Sequence, residues 1–349
     1  MSRERIVVAM SGGVDSSVAA ALLKEEGFDV IGLTLRLCDN EMHDAAAAAG
    51  VLGIAHHTAD FRTVFEKQVI DYFCREYRDG RTPNPCIRCN RFIKFGAFWE
   101  HARRLGAVRM ATGHYARIEA NGPGPRCLLR RGVDVHKDQS YFLYALSQTQ
   151  LCRTLMPLGN LSKEEVRRTA DRFCLPVSGR EESQDICFIG DGGYGEFLKK
   201  RIPGAMEPGP IQNSRGEVIG RHRGLGLYTI GQRRGIGIAA PEPLYVTGID
   251  KASNAIVVGR REESCGNALT ATEVNCIAVT EIRSPLRVLA RIRYRHTAAR
   301  ATVVPMGKNS VRVLFETPQS AITPGQAVVW YDPDGPDVIG GGIIAGPGT

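Results

Sequence analysis

A short loop near the start of the chain has the composition of a phosphate site. Ser11-Gly12-Gly13-Val14-Asp15-Ser16-Ser17 follows an apolar run and precedes a run of good helix formers. Glycines let a backbone turn tightly around a phosphate, and the N–H groups and dipole at a helix start attract the anion. Asp15 cannot donate to phosphate, so we assign it to Mg²⁺ or to orienting the loop. The sequence lacks the Lys of G-x-x-x-x-G-K-[ST], which excludes a Walker-type NTPase.

Three cysteines form a second group of residues suited to chemistry. Cys86 and Cys89 have C-x-x-C spacing next to Pro85, and Cys187 lies much further along the chain. Thiolates are nucleophiles and ligands of soft metals. A zinc site is disfavoured, because no second C-x-x-C or matched His pair accompanies the first. The other seven we expect to be packing residues: Cys38, Cys74, Cys127, Cys152, Cys174, Cys265 and Cys276.

The elements that must position these groups alternate in type. Apolar runs predict strands at 6–9, 30–35, 54–58 and 108–112, and helical patterns predict helices at 14–23, 44–52, 65–77 and 92–105. This alternation predicts an α/β fold, a doubly wound parallel sheet with helices on both faces. The glycine loop would join the first strand to the first helix.

The second part of the chain has a different character. From about residue 203 onward, Gly and Pro become frequent, and β-branched runs predict strands at 244–249, 255–258, 288–294, 310–315 and 327–331. We therefore expect three domains: an α/β domain over 1–200, a small central β-rich domain over 201–258, and a C-terminal β-barrel-like domain over 259–349.

Composition excludes several classes of protein. A chain of 349 residues with 43% hydrophobic and 23% charged residues is neither disordered nor a coiled coil. It has no apolar stretch long enough to cross a bilayer, and its first residues lack a signal-peptide core. We therefore expect a cytoplasmic protein with reduced thiols. The net charge of +8 favours a polyanionic partner, although a solvated basic surface explains it equally well.

These motifs resemble a known family. Ser11–Ser16 is similar to the SGGxDS pyrophosphate loop of the N-type ATP pyrophosphatases, which release pyrophosphate and leave AMP on a substrate oxygen. Several further segments resemble the tRNA-specific 2-thiouridylases: 80–95 (GRTPNPCIRCNRFIKF), 111–117 (ATGHYAR), 137–144 (KDQSYFLY), 182–190 (ESQDICFIG), 227–237 (LYTIGQRRGIG), 292–295 (IRYR) and 322–327 (ITPGQA). The resemblance extends over nearly the whole chain.

The resemblance implies a reaction in which sulfur replaces the C2 oxygen of the wobble uridine of tRNA. That oxygen leaves poorly, so transferring AMP to it creates a leaving group that a sulfur nucleophile displaces. The anticodon loop is single-stranded, so turning the base into a pocket costs little unstacking energy. The implied cofactors are ATP and Mg²⁺, and the implied partners are tRNA and a sulfur-donor protein or persulfide carrier. In this family the α/β domain is the ATP pyrophosphatase domain and the barrel contacts tRNA.

The resemblance also implies roles for the thiols. Cys187 would carry the sulfur as a persulfide, and Cys89 would complete the transfer by attacking it, so that a disulfide joins the two afterwards. Many relatives have an acid/base or orienting Asp at the position of Cys86. Similar thiolases have three thiols instead, which hold a [4Fe-4S] cluster with one iron left open to bind hydrosulfide. In this chain the ligands of such a cluster would be Cys86, Cys89 and Cys187. Cys86 is therefore expected to be either a cluster ligand or an accessory thiol, and both interpretations stay open.

Binding residues carry over in the same way. The implied nucleotide site comprises Ala9, Met10, Ser11, Gly12, Gly13, Val14, Asp15, Ser16, Leu35 and Gly113. The implied tRNA contacts are Asn84, Pro85, Cys86, His114, Lys137, Asp138, Gln139, Arg293, Tyr294 and Gln326. Arg291, Arg293 and Arg295 alternate along a predicted strand, so we expect them to share one face, suited either to phosphates or to solvent.

Two other functions fit part of the sequence. A synthetase that adenylates a small metabolite would share the loop, but a glutaminase signature is missing and the β-rich half is basic. A non-catalytic RNA-binding protein would not need the intact Ser11, Asp15, Cys89 and Cys187.

Overall fold

The computed structural model describes residues 3–38, 43–120, 126–176, 186–190 and 192–348. The chain folds into two compact units. The first unit comprises residues 1–69, 86–188 and 335–339, and the second comprises 70–85, 189–334 and 340–349.

The first unit is built on a parallel sheet. Its strands are β1 (Arg5–Ala9), β2 (Asp29–Arg36), β3 (Ala55–Asp60), β4 (Arg109–Ala111), the hairpin β5 (Ala116–Ala120) and β6 (Cys127–Arg131), and β7 (Thr154–Leu155). The sheet has the order β3-β2-β1-β4-β7, and all its pairs are parallel. Ile6, Val7 and Val8 are fully buried, as a strand covered on both faces requires. The predicted α/β fold is confirmed.

Nine α-helices occur in the described part of the chain. They are α1 (Val14–Glu25), α2 (His43–Leu52), α3 (Arg62–Phe65), α4 (Asp71–Arg78), α5 (Pro85–Arg88), α6 (Phe98–Arg104), α7 (Gln148–Cys152), α8 (Lys163–Arg172) and α9 (Gly193–Arg201). Short 3₁₀ helices cover Ser140–Leu143, Pro203–Met206, Leu225–Leu227 and Arg261–Ser264. Both helices predicted from the sequence contain π-helical structure: Glu66–Ile70 lies within 65–77, and Cys89–Ala97 covers the first part of 92–105. Such segments are frequent at functional sites.

The second unit consists mainly of β-structure. A four-stranded sheet of order β10-β11-β8-β9 contains β8 (Gly209–Gln212), β9 (Val218–His222), β10 (Tyr245–Asp250) and β11 (Ala255–Gly259). A closed barrel follows in the order β12-β15-β14-β13-β16-β17, formed by β12 (Cys265–Cys276), β13 (Leu286–Arg291), β14 (Ala299–Gly307), β15 (Ser310–Ser320), β16 (Ala327–Tyr331) and β17 (Val338–Pro347). The predicted C-terminal barrel is confirmed.

The prediction that Arg291, Arg293 and Arg295 share one face of a strand is wrong. Strand β13 ends at Arg291, and Arg293 and Arg295 lie in the turn that follows it. The Arg291 guanidinium folds back onto this turn and donates to the carbonyl oxygens of Tyr294 and His296. Capping these carbonyls stabilises the turn, so the alternating arginines do not share a strand face.

The expectation that all seven remaining cysteines are packing residues is also wrong. Cys127 and Cys152 form a disulfide between β6 and α7, with their Cα atoms 5.6 Å apart. The Gln148 side chain brings these elements together, because its amide accepts from Cys127 N at 2.9 Å and donates to Cys127 O at 3.1 Å. Cys174 and Cys265 are exposed, whereas Cys74 is buried as expected.

No helix in the described ranges is both long enough and apolar enough to cross a membrane.

Candidate active site

The glycine loop forms the start of α1 at the carboxyl end of β1. Gly13 is the N-cap of the helix and has no side chain to satisfy the first N–H groups, which therefore remain available to an anion. Gly12 has a φ of +80°, a conformation that favours glycine. A Cβ at Gly12 would lie 3.2 Å from Ala45 N, so a side chain there would also press against the start of α2.

Hydrogen bonds within the loop fix its shape. Ser16 Oγ donates to Gly13 O and accepts from Ser11 N, both at 3.1 Å, and Ser17 Oγ also donates to Gly13 O at 3.1 Å. Ser16 and Ser17 are buried, whereas Ser11 is exposed. The buried serines therefore brace the loop, and Ser11 is the hydroxyl that can reach a ligand.

Asp15 is held by two partners from outside the loop. Its Oδ1 accepts from Tyr115 Oη and from Lys163 Nζ, each at 2.7 Å. These contacts fit the role of orienting the loop. Lys163, the first residue of α8, is not among the residues predicted from the sequence, although the Ser162–Glu165 capping box that starts this helix is visible there.

Gly113 and His114 connect the loop to the cysteines. A Cβ at Gly113 would lie 2.7 Å from Asp15 C and 2.8 Å from Ser16 N, so only glycine allows this close approach. The next residue, His114, is buried, with Nδ1 at 2.9 Å from Thr112 Oγ1. Burial lowers the pKa of His114 well below its usual value, so its ring is neutral at pH 7. That ring lies 5.7 Å from the ring of Phe95 in the π-helical segment that Cys89 begins.

Cys86, Cys89 and Cys187 lie close enough to interact electrostatically. Cys89 is buried, and this burial raises the pKa of its thiol to about 12, with the charge of Lys94 opposing the shift. Desolvation likewise raises the pKa of the Cys187 thiol to about 11 and raises the pKa of Cys86. Cys86 and Cys187 are nevertheless exposed, a combination that indicates a cleft, since protein surrounds each thiol without covering it.

The structure adds two residues to this group that the sequence analysis did not select. Cys38 follows the carboxyl end of β2, and its charge contributes to the raised pKa values of Cys89 and Cys187. Lys94 is the cation that acts on the pKa values of Cys86, Cys89, Cys187 and His114. The sequence signal for Cys38 was its place after a parallel strand, at the same sheet edge as the glycine loop.

The remaining residues expected at the nucleotide site lie at or near the carboxyl ends of β1 and β2 and at the start of α1. Ala9 ends β1, and Leu35 is near the carboxyl end of β2, the neighbouring strand. Met10 and Val14 are buried, and Met10 O accepts from Thr34 Oγ1 at 2.8 Å. These residues can therefore offer backbone groups or shape, but not exposed side chains.

Two of the residues expected to touch tRNA bind the protein itself. The buried Asp138 carboxylate accepts from Gly132 N and Ser140 N at 3.1 Å and from Ser140 Oγ at 3.0 Å. Gln139 Oε1 accepts from Tyr115 N at 3.0 Å, next to the tyrosine that holds Asp15. Lys137, at the surface end of this segment, is half-buried.

In the second unit, Gln326 anchors the segment that leads to Asn84 and Pro85. Its Nε2 donates to Thr82 O at 2.8 Å, while Thr82 N donates to Pro324 O at 2.9 Å. The Arg293 guanidinium donates to Ser320 O at 3.0 Å.

The thiols in the described part of the chain do not form a site for a single metal ion. Within the ranges that the structure describes, no three His, Cys, Asp or Glu side chains are arranged to hold a metal ion. In a [4Fe-4S] cluster each thiolate binds a different iron, so the three thiols need not surround one ion, and both interpretations of Cys86, Cys89 and Cys187 stay open.

Comparison with known proteins identifies the family. Residues 4–191 match the family described as "tRNA methyl transferase HUP domain", 195–260 match "tRNA methyl transferase PRC-barrel domain" and 266–344 match "Aminomethyltransferase beta-barrel domain". The tRNA-specific 2-thiouridylase MnmA of Pelotomaculum thermopropionicum is 49% identical, covering 100% of this chain and 99% of the relative. The chain belongs to the tRNA-specific 2-thiouridylase family.

A second 2-thiouridylase, from Symbiobacterium thermophilum, is 47% identical and covers 98% of this chain and 92% of its own length. The likeness to members of this family thus extends over both units. A solved 4-thiouridine synthetase–RNA complex with bound ATP is 16% identical and has a TM-score of 0.34, covering 57% of this chain and 50% of that one. This structural similarity is too low to support a functional conclusion.

Proposed function

We propose that this enzyme uses ATP to replace the C2 oxygen of the wobble uridine of tRNA by sulfur. The observation that carries the proposal is that the glycine loop and the segment beginning at Cys89 are connected within the first unit. Gly113 packs against Asp15 and Ser16 of the glycine loop, and the adjacent His114 contacts Phe95 in the segment that begins at Cys89. A nucleotide loop and a set of thiols joined through two consecutive residues suit an activation step followed by sulfur transfer.

The first step would be adenylation. The uridine O2 attacks the α-phosphorus of ATP, pyrophosphate leaves, and AMP remains on O2. The loop N–H groups and Ser11 would hold the phosphates, and Lys163, through Asp15, would hold the loop in shape. Mg²⁺ would accompany ATP and neutralise charge on its phosphates.

The second step would be sulfur transfer from a persulfide on Cys187. Its terminal sulfur attacks C2 and AMP leaves with the oxygen, which gives a base joined to Cys187 through an S–S bond. The Cys89 thiolate then attacks the sulfur of Cys187, so that this bond breaks, 2-thiouridine is released and a Cys89–Cys187 disulfide forms. An external dithiol must reduce the disulfide before the next turnover. The exposed Cys187 suits loading by a sulfur-donor protein or persulfide carrier, and the buried Cys89 suits the internal attack.

The proposed steps use the exposed Cys187 and the buried Cys89 as sulfur carrier and nucleophile, and they do not use the cluster. Iron and sulfide analysis of anaerobically purified protein tests this choice. Active enzyme without iron supports the persulfide route, whereas activity that requires about four irons per chain would replace it.

The decisive experiment combines enzyme, ATP, Mg²⁺, a persulfide donor and unmodified tRNA, and measures AMP and 2-thiouridine by mass spectrometry. We expect both products in equal amounts. Cys89→Ser should bind ATP but form no 2-thiouridine, whereas Cys265→Ser, at an exposed thiol of the barrel, should behave as wild type. AMP release without tRNA would favour a metabolite synthetase instead, and no ATP turnover would favour an RNA-binding protein. Since the substrate is tRNA, we propose the cytoplasm as the site of action.

A further inference from the structure

We propose that a cavity between α4 and α9 of the second unit binds a backbone phosphate of the tRNA. The inference rests on the proposed function, because it assigns that substrate a further contact. The cavity has a volume of about 310 Å³ and is lined by Asp71, Cys74, Arg75, Arg78 and Arg201. Three guanidinium groups thus meet around one hollow, accompanied by a single carboxylate.

The walls of this cavity are fixed by aromatic packing. Phe73 of α4 meets Phe197 of α9 edge to face, with ring centroids 6.0 Å apart, and the rings of Tyr77 and Tyr194 lie 5.8 Å apart. Arg201 lies over Phe197 with its guanidinium carbon 5.6 Å from the ring centroid. Arg75 is held over Tyr72 in the same way, also at 5.6 Å. These contacts position the guanidinium groups of Arg75 and Arg201 before a ligand arrives, which reduces the entropy lost on binding.

The chemistry of the lining suits a phosphate. A guanidinium donates in a planar fork that matches two phosphate oxygens, and this bidentate contact is stronger than a neutral hydrogen bond. The volume lies at the lower end of ligand cavities, which fits a phosphate with its ribose better than a whole nucleotide.

The open side of the cavity favours a polymer over a free anion. Arg75, Arg78 and Arg201 are all exposed, so a long polyanion can reach them from solvent. Asp71 weakens the attraction for a single anion, but a nucleic acid adds this contact to others along the chain, and the protein carries a net charge of +8.

The basic residues have another conventional role that does not explain their arrangement. Arg75 and Arg78 lie in the last turn of α4, and Arg201 lies in the last turn of α9, where cations complement the helix dipole. That role requires no common cavity. The meeting of two helix ends at one hollow is the feature that a ligand explains.

The test is the salt dependence of tRNA binding, measured by fluorescence anisotropy with labelled tRNA over a series of KCl concentrations. The variant Arg75→Gln/Arg78→Gln should bind about tenfold more weakly at 100 mM KCl. Its slope of log affinity against log salt should be shallower by about 0.7 to 0.9, the effect of one lost phosphate contact. Asp71→Asn should bind more tightly than wild type, because it removes the only carboxylate of the lining.

Arg215→Gln/Arg221→Gln is the matched control, since it also removes two positive charges, both from exposed positions of the β8–β9 hairpin. Each variant must unfold at the temperature of the wild type. The proposal would be overturned if Arg75→Gln/Arg78→Gln had the same slope of log affinity against log salt as the wild type, or if the control lost as much tRNA affinity as that variant. Titration with inorganic phosphate forms the second arm of the test. If the wild type binds phosphate and Arg75→Gln/Arg78→Gln does not, while the salt dependence of tRNA binding is the same in both, the cavity is a site for a free anion. Wild-type enzyme that binds tRNA but forms no 2-thiouridine would refute the proposed function alone.

Discussion

Lys163 Nζ lies 2.7 Å from Asp15 Oδ1, with 11% of the lysine side chain and 30% of the aspartate side chain exposed. The same oxygen accepts from Tyr115 Oη at 2.7 Å. A loop without the Walker lysine therefore gains a cation from the start of another helix. Because the pair is largely shielded from water, its attraction is stronger than that of a surface ion pair.

Lys163→Met should therefore impair use of ATP. Loss of the cation leaves Asp15 without its ionic partner, and charge-assisted hydrogen bonds of this kind contribute about 1.5 to 3 kcal/mol, or roughly 10- to 150-fold in rate. Pyrophosphate release in the presence of tRNA measures the effect. Lys163→Arg should restore part of the rate, and Lys200→Met, which removes an exposed partner of Glu196, should change nothing. Equal rates of pyrophosphate release by Lys163→Met and wild type would show that Lys163 has no role in the use of ATP.

Gly113→Ala should abolish ATP binding while the protein still folds. The added Cβ would lie 2.7 Å from Asp15 C and 2.8 Å from Ser16 N, and these backbone atoms can yield only if the loop moves. Gly50→Ala is the matched control, because a Cβ there meets nothing within 4 Å and lies inside α2. We expect that control to bind ATP normally and to be more stable by about 0.5 to 1 kcal/mol. Binding of a fluorescent ATP analogue measures the contrast, and normal binding by Gly113→Ala would contradict it.

The sequence predicts the elements of this fold better than the contacts between them. Apolar runs and glycine turns place β1, the loop and α1, because each depends on neighbouring residues alone. The Lys163–Asp15 pair depends on how α8 packs against α1, which no local pattern encodes. Cys38 was predicted to be a packing residue because only the fold brings it near Cys89 and Cys187, which are distant in sequence.

Local patterns also mislead where a side chain competes with a strand. Alternation of arginine with apolar residues predicts a strand through Tyr294, yet Arg291 caps carbonyls of the following residues and the strand stops. The disulfide is a similar case. The pairing of Cys127 with Cys152 depends on the approach of α7 to β6, and spacing in the sequence gives no sign of it.

Loss of the disulfide should destabilise the first unit. A bridge across 25 residues restricts the unfolded chain and contributes about 3 kcal/mol, so Cys127→Ser/Cys152→Ser should unfold at lower urea concentration. The two tryptophans of the chain allow a selective measurement, because Trp99 lies in the first unit and Trp330 in the second. In a Trp330→Phe background, fluorescence reports the first unit alone. Cys174→Ser, at an exposed thiol outside the bridge, is the control. Protein purified without reductant should be two hydrogens lighter than the reduced chain; equal masses would show that the bridge does not form.

The thiols of the site should react slowly at neutral pH. Desolvation raises the pKa of Cys187 to about 11, and only the thiolate is alkylated. The rate of its reaction with iodoacetamide, followed by peptide mass spectrometry, should rise about tenfold per pH unit from pH 7 to 10 and reach its midpoint near pH 11. Lys94 opposes this shift, so Lys94→Met should move the midpoint to higher pH, whereas Lys94→Arg should keep it. Cys265, exposed in the same protein, serves as the internal standard. A midpoint for Cys187 at or below about 8.5, the value of an unperturbed thiol, would mean that nearby positive charge outweighs desolvation in this cleft.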